Sequence, residues 1–288
     1  MTVEANTLAV VGDLLEDVVI WTQGQIERGD DNAATVFRSR GGSAANVAAA
    51  AARHSHVRFI GRLGEDPLGD QLVAEMQSAG IDVRVQRAGR TGTVVVLVDP
   101  DGERTMFPDR AAAGELDAVD PLWLEGLGWL HAPLYGFTTP SANLAIAGMI
   151  RHMSERGIPT SIDVSGVSVI RELGISSTME LLDELGPKIV FANSDESDYL
   201  KLDSVAPPEG RTYIVKRGPA PVEIHTASGT EFVAVPPLSE VLDSTGAGDA
   251  FAAGFLSAII AGRSVNDAVS SGSNLASIAL GQPGALAR

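Results

Sequence analysis

The second half of the chain alternates strands and helices, and this alternation constrains the fold most. Apolar runs typical of buried strands alternate there with segments patterned as helices, at residues 129–132, 140–156, 160–163, about 177–185, 189–192 and 194–201. Such an alternation implies crossover connections between parallel strands. Another apolar run, residues 7–11, ends at Gly12 and indicates a first strand of the same sheet. The sequence therefore predicts an α/β protein with a mostly parallel sheet.

A second, smaller sheet is predicted between the first strand, at residues 7–11, and the alternating segments that begin at residue 129. Its five candidate strands carry apolar residues in the pattern of strands, at residues 18–21, 35–38, 83–85, 93–98 and 103–107. A hairpin turn, Asp-Pro-Asp-Gly at residues 99–102, separates the last two. We therefore expect a main domain made of residues 1–16, 39–82 and 109–288, and a second unit made of residues 17–38 and 83–108.

Composition excludes several classes of partner. The chain has 21 basic and 37 acidic residues and no basic stripe, so we expect no nucleic-acid partner. It has no cysteine, which excludes disulfides and zinc–thiolate sites. Every apolar run is shorter than the ~20 residues of a membrane span, and the first residues lack the basic region of a signal peptide. We expect a cytoplasmic protein with no membrane partner.

One stretch combines an anion-binding backbone with a carboxylate. Residues 243–249, Asp-Ser-Thr-Gly-Ala-Gly-Asp, lead into an apolar run that predicts a buried helix. Small residues let backbone N–H groups approach a ligand, and a helix N-terminus attracts phosphate. Asp249, in the first turn, could accept a proton from a substrate hydroxyl, and phosphoryl transfer needs this combination. The alternative is a capped helix, with Ser244 or Thr245 as N-cap.

A second glycine-rich stretch lies far upstream. Residues 41–47, Gly-Gly-Ser-Ala-Ala-Asn-Val, precede an alanine-rich helix, and Asn46 offers both a donor and an acceptor to a ligand hydroxyl. The alternative is a glycine turn with a closely packed helix. A predicted strand follows, and then residues 61–69, Gly-Arg-Leu-Gly-Glu-Asp-Pro-Leu-Gly.

These two stretches resemble the signatures of the ribokinase-like (PfkB) carbohydrate kinases. The C-terminal signature of the family runs Asp-Thr-x-Gly-Ala-Gly-Asp, from which this chain departs only at Ser244. The N-terminal signature is similar to Gly-Gly-x-x-x-Asn followed by a strand and Gly-x-x-Gly-x-Asp-x-x-Gly. The resemblance implies a ribokinase-like fold, which is a three-layer α/β/α structure with a mostly parallel central sheet and a small β-sheet lid over the sugar. It also implies a homodimer formed through the lid.

The resemblance implies an ATP-dependent kinase that phosphorylates a hydroxymethyl group of a small, ribose- or fructose-like sugar. By this resemblance, Asp249 is the catalytic base, and the backbone of Gly246, Ala247 and Gly248 holds the developing negative charge. The acceptor sugar is expected to contact Asp17, Gly42 and Asn46.

The family also has Asn-x-x-Glu after a strand, linked through water with Mg²⁺ and phosphate. Asn193 and Glu196 match it, and the same pair could instead form a capping box at a helix start. Further implied sites are nucleotide contacts and a K⁺ site at Asp243. The expected nucleotide contacts are Asn193, Lys216, Gly218, Thr245 and Asn274.

The sequence departs from the family pattern at the acceptor site. Leu15 replaces an asparagine that many members carry, and Ser43-Ala44 replaces the Lys-Gly of several members. No particular sugar is therefore implied, and a nucleoside kinase of the same fold is the main alternative. A catalytically silent sugar-binding protein is another, although Asp249, which silent relatives are expected to lose, is present. No Gly-x-Gly-x-x-Gly follows the first strand, which argues against an NAD-dependent oxidoreductase.

Overall fold

The computed structural model describes residues 6–237, 241 and 244–281. The described part contains thirteen strands and eight α-helices. The strands are β1 (Thr7–Val11), β2 (Leu15–Thr22), β3 (Ala34–Gly41), β4 (His56–Leu63), β5 (Asp82–Arg87), β6 (Thr93–Val98), β7 (Arg104–Asp109), β8 (Leu127–Pro133), β9 (Thr160–Asp163), β10 (Ile189–Asn193), β11 (Thr212–Lys216), β12 (Val222–Thr226) and β13 (Gly229–Val233). The helices are α1 (Ser43–Ala51), α2 (Pro67–Ser78), α3 (Pro140–Glu155), α4 (Val167–Leu173), α5 (Ile175–Leu185), α6 (Ser194–Leu200), α7 (Ala247–Ile260) and α8 (Val265–Leu280).

Nine strands form the main sheet, in the order β13-β12-β11-β10-β9-β8-β1-β4-β5. The seven strands from β11 to β5 pair in parallel, and β12 and β13 add an antiparallel edge. From β8 to β11 each strand is connected to the next by one or two α-helices, and α2 connects β4 to β5, as crossovers between parallel strands require. The predicted α/β fold with a mostly parallel sheet is therefore confirmed.

Both faces of this sheet are buried, which gives the molecule three layers. Along β1, Ala9 and Val11 pack into one hydrophobic core, whereas Leu8 and Val10 pack into a second core on the other face. The first core contains buried residues of α3 and α5, and the second contains those of α1, α2, α7 and α8. Because neighbouring strand residues point to opposite faces, a nearly continuous apolar run is needed to fill both cores.

The small sheet has four strands, in the order β3-β2-β6-β7. Its central pair, β2 and β6, is parallel, and the outer pairs are antiparallel. The prediction that residues 83–85 belong to this sheet is wrong, because β5 pairs in parallel with β4 at the edge of the main sheet. Val83 and Val85 pack against the core that holds α2, the helix connecting β4 to β5. Helix α4 was not predicted.

No helix in the described ranges combines the length and the hydropathy needed to cross a membrane.

Candidate active site

A large cavity lies at the carboxyl ends of the parallel strands, between the main sheet and the small sheet. Its volume is about 1100 Å³. Three neighbouring strands end on it with polar side chains, namely Asp163 of β9, Asn193 of β10 and Lys216 of β11. The small sheet contributes residues of β2, β6 and β7 to the opposite wall. This is the edge at which open parallel sheets bind ligands.

Asp249 lies in the first turn of α7 and lines this cavity. Its Oδ1 accepts a hydrogen bond from the Ser43 hydroxyl at 2.6 Å, and its Oδ2 accepts one from the Asn46 amide at 3.0 Å. Burial raises the pKa of Asp249 to about 6, against the opposing effect of these two hydrogen bonds. The carboxylate is therefore held in a fixed position and has the proton affinity of a base that works near neutral pH.

The N-terminus of α7 opens into the same cavity. Its N-cap is Gly246, in the left-handed conformation at φ 74°, and this residue has no side chain that could cap the helix. The alternative of Ser244 or Thr245 as N-cap is therefore wrong. The first N–H groups of a helix have no intrahelical acceptor. Gly246, Ala247 and Gly248 line the cavity, and the Ala247 N–H bonds to the Ser244 carbonyl at 3.3 Å. This turn therefore presents backbone N–H groups and the positive end of the helix dipole to an anion.

The end of the cavity under the small sheet contains Asp17, Gly42 and Asn46. Burial raises the pKa of Asp17 to about 6, although the Arg40 guanidinium lowers it. The backbone leaves room for this carboxylate only because residue 41 is glycine, since a Cβ there would lie 2.0 Å from Asp17 Oδ1. Gly42, at φ 96°, has a conformation that side chains disfavour, and a Cβ would meet the Asp13 carbonyl oxygen at 2.4 Å.

An ion pair that the sequence pattern did not indicate lies in the same wall of the cavity. The Arg110 guanidinium donates two hydrogen bonds to Asp13, both of 2.7 Å, and a third of 2.7 Å to the Thr138 hydroxyl. The Arg110 and Asp13 side chains are 17% and 8% exposed. The available signal was the position of Arg110 immediately after the last strand of the small sheet, where the chain returns to the main domain.

Asn193 and Glu196 form the predicted capping box at the start of α6. Asn193 Oδ1 accepts a hydrogen bond from the Glu196 N–H at 2.9 Å, and the Glu196 carboxylate accepts bonds of 2.7 Å from the N–H and the side-chain amide of Asn193. Both residues also line the cavity. Burial and, secondly, the neighbouring Asp163 raise the pKa of Glu196 to about 7.

Lys216 reaches into the cavity from the end of β11. Its ammonium group donates a hydrogen bond to Asp163 Oδ2 at 3.0 Å and lies 5.9 Å from the ring centres of Phe191 and Phe251. Burial alone would lower the pKa of Lys216, but Asp163 and Glu196 outweigh it and raise the pKa. Lys216 is therefore positively charged in this site.

Of the other expected nucleotide contacts, Gly218 and Thr245 line the cavity and Asn274 does not. Asn274 lines a separate surface cavity on the far side of α8. The placement of Asn274 was wrong because a helix turns by about 100° per residue, so the face of α8 turned to the large cavity carries Ser273, Ala276, Ser277 and Leu280. Asp243 lies outside the described residues.

The pfkB family carbohydrate kinase model matches residues 5–125 and 176–287, which is most of the chain. The chain belongs to the pfkB carbohydrate kinase family. Both matched segments contribute to the cavity, since the first contains Asp17 and Asn46 and the second contains Asp249.

Individual pfkB relatives are similar over nearly the whole chain. An ATP-dependent ribose-1-phosphate kinase of Halopiger xanaduensis is 32% identical, with 86% of this chain and 82% of the relative covered. A fructokinase of Klebsiella pneumoniae is 28% identical, with 84% of each chain covered. The crystal structure of adenosine kinase from Sinorhizobium meliloti superimposes with a TM-score of 0.83, at 22% identity and with 97% of this chain and 94% of that chain covered.

Together these similarities establish the reaction class. As a pfkB kinase the protein is a phosphotransferase that acts on a hydroxyl group of a sugar or a nucleoside. The ribokinase-like fold predicted from the two signatures is confirmed by the fold match. The relatives are named as kinases of different acceptors, so the acceptor of this protein has to be inferred from its site.

Proposed function

We propose that this protein is an ATP-dependent kinase that transfers the γ-phosphate of ATP to a hydroxymethyl group of a small, ribose- or fructose-like sugar. One observation carries the proposal. The Asp249 carboxylate lies between the open N-terminus of α7 and Asn46, in a cavity that also contains Asp17. A base, an anion-binding turn and polar groups suited to sugar hydroxyls therefore share one space.

In the proposed reaction the acceptor hydroxyl gives its proton to Asp249 as its oxygen attacks the γ-phosphorus. A new oxygen–phosphorus bond forms, the bond from the γ-phosphorus to the bridging oxygen breaks, and ADP leaves with that oxygen. Backbone N–H groups of residues 246–248 hold the negative charge on the transferred group, and such a donor typically contributes about 3 kcal/mol. The carboxylate of Asp17 and the amide of Asn46 bind and orient the acceptor.

The nucleotide would occupy the other end of the cavity. We assign Asn193, Lys216, Gly218 and Thr245 to contacts with ATP, and the side of α8 that lines the cavity to the adenine. These assignments are supported by the lining of the cavity and by the name of the Halopiger relative, an ATP-dependent kinase.

The residues near α6 fit a magnesium ion. The cavity wall there presents oxygen atoms of Asn193 and Glu196, and Mg²⁺ prefers oxygen ligands, usually with several waters retained. Glu196 would hold the ion through water, and Mg²⁺ would supply charge neutralisation for the phosphates. The expected K⁺ site at Asp243 lies outside the described residues and remains a prediction from the family resemblance.

A nucleoside acceptor is a second candidate, and one feature of the lid favours it. The wall of the cavity under the small sheet has a group of apolar side chains, namely Leu15, Val94, Met106 and Pro108. A free sugar offers little apolar surface to such a wall, whereas a nucleobase would cover it.

We also propose a homodimer formed through the small sheet. The sheet face opposite Asp17 carries six apolar side chains, in register on all four strands: Val18, Ile20, Val36, Val95, Leu97 and Phe107. Val36 and Phe107 are each 54% exposed, and such a surface suits a second copy of the chain. Sedimentation equilibrium should give a dimer for the wild type and a monomer for V36K/F107K; a monomeric wild type would contradict this.

The test of the proposed function is ADP release with Mg-ATP and a panel of acceptors. The panel contains pentoses, hexoses, ribose 1-phosphate, sugar acids and nucleosides, and the phosphorylated product is identified by ³¹P NMR. Turnover of a ribose- or fructose-like sugar supports the proposal, and turnover of nucleosides alone supports the second candidate. No turnover across the panel together with no ATP binding would overturn both.

A further inference from the structure

Lys216 differs from every other lysine of the chain in its surroundings. The sequence contains three lysines, at positions 188, 201 and 216. Lys188 and Lys201 are exposed, whereas the Lys216 side chain is 15% exposed and lines the large cavity. A charged lysine in such a place is costly unless it is paired, so its position needs an explanation.

The ammonium group of Lys216 lies beside the first turn of α7. A methyl group on the Cα of Gly248 would lie 3.4 Å from Lys216 Nζ, and the next residue is Asp249. The N-terminus of α7 and the ammonium group of Lys216 therefore both lie next to Asp249. A group that carries negative charge and reacts next to Asp249 would contact them both.

The ammonium group of Lys216 has N–H donors that could bind an anion in the cavity. The ammonium group has three N–H donors, and within the described part of the chain Asp163 Oδ2 is the acceptor at hydrogen-bond distance. The neighbouring Arg217 also lines the cavity, but its guanidinium pairs with Glu223 at 2.6 Å and with Asp203 at 2.5 Å. Lys216 is therefore the better placed of the two cations to bind a transferred phosphate.

Asp163 is itself fixed at the end of β9. Its Oδ1 accepts a hydrogen bond from the Ser165 N–H at 2.8 Å, and its side chain is 11% exposed. The other carboxylate oxygen is thereby directed at Lys216. This arrangement both orients the ammonium group and favours its protonated form.

We propose that Lys216 is a catalytic residue of the phosphoryl transfer, whose ammonium group binds the transferred γ-phosphate opposite Asp249, and that Asp163 is the positioning residue for Lys216. Lys216 gives up no proton in this step. It stabilises the negative charge of the oxygens on phosphorus while the proton of the acceptor goes to Asp249. The inference rests on the proposed function and adds a named role for these two residues.

The first test compares Lys216→Met with Lys216→Arg and with Lys188→Met as a matched control. Loss of one donor to the transition-state charge costs about 10²–10³ in kcat. We expect a loss of that size for K216M, a partial recovery for K216R and wild-type kinetics for K188M. The KM of the acceptor should change little, because its contacts lie under the small sheet. Thermal melting of each variant is measured alongside.

The second test uses Asp163→Asn, which keeps the shape of the side chain and removes its charge. Since Asp163 raises the pKa of Lys216, the pH profile of kcat in D163N should gain a decline at alkaline pH that the wild type lacks. The double variant D163N/K216M should be no slower than K216M alone, because Asp163 acts through Lys216. A residue with a merely structural role would not produce this alkaline decline.

Each outcome decides the assignment. An active wild type with K216M within a few-fold of its kcat would overturn the role of Lys216 and leave the proposed function standing. If K216M does not fold, an unchanged pH profile in D163N would overturn the assignment instead. A wild type without kinase activity on any acceptor would remove the proposed function, and this inference with it.

Discussion

Asn46 donates a hydrogen bond from its side-chain amide to Asp249 Oδ2 at 3.0 Å, although the two residues are 203 positions apart in the chain. The contact joins the start of α1 to the start of α7, which pack against each other in one hydrophobic core. The Asn46 amide thus belongs both to the expected acceptor site and to the surroundings of the base. Because of this shared contact, the orientation of the acceptor and that of the base are coupled.

The pKa of Asp249 predicts the acidic limb of the pH profile. Burial raises this pKa to about 6, and the base is active only when it is deprotonated. The pKa of Asp17 in the acceptor site is also raised to about 6. We therefore expect kcat/KM to fall at least tenfold per pH unit below pH 6 and to level off above pH 7. Steady-state kinetics in overlapping buffers check this, and a profile that is flat down to pH 4.5 would exclude Asp249 as the titrating base.

Removal of the Ser43 hydroxyl should shift the acidic limb of the pH profile to higher pH. The hydrogen bond from Ser43 favours the charged form of Asp249 and lowers its pKa. In Ser43→Ala the acidic limb is therefore expected at higher pH, with the largest loss of activity at acidic pH. Ser154→Ala, on the exposed side of α3, is the control. A shift to lower pH would show that the hydrogen bond acts in some other way.

Gly41→Ala should weaken the binding of the acceptor and have little effect on the binding of ATP. The new Cβ would lie 2.0 Å from Asp17 Oδ1, so the carboxylate has to leave its position. We expect the KM of the acceptor to rise by a factor of about ten or more, which is about 1.4 kcal/mol or more of lost binding. Gly148→Ala has open space around it and is the control. An unchanged acceptor KM in G41A would argue against Asp17 as an acceptor ligand.

The Asp13–Arg110 pair should contribute to stability far more than an exposed pair does. Arg110→Met leaves a buried carboxylate without its partner, which typically costs about 3–5 kcal/mol. Arg151→Met removes the exposed pair with Glu184, for which the expected loss is below about 1 kcal/mol. Urea denaturation of both variants measures the difference. Equal losses would show that Asp13 finds other partners or is solvated.

Much of the main sheet was predictable from the sequence, but the assignment of β5 was not. Strand–helix alternation and the apolar runs give the parallel sheet, because both depend on local pattern and on packing of the two faces. The segment around Val83 and Val85 has a strand pattern that fits either sheet. Only its pairing with β4 assigns it to the main one, and the apolar pattern of a strand does not specify the strand with which it pairs.

The site was predictable to a similar extent. The helix start at residues 246–249 and the pair formed by Asn193 and Glu196 are continuous motifs, so they could be found from spacing. The contact between Asp163 and Lys216 could not, because it depends on the strand order β9-β10-β11 and on a side chain that passes Phe191. The same limit explains why Arg110 was missed.

The central claim is that Asp249 removes the proton of the acceptor hydroxyl. Asp249→Asn keeps the shape of the side chain and the helix start, and it removes the base. We predict that kcat falls by about 10²–10⁴, while the Kd of ATP, measured by calorimetry in the absence of acceptor, changes by less than about threefold. A D249N variant that retains kcat close to that of the wild type would contradict the account.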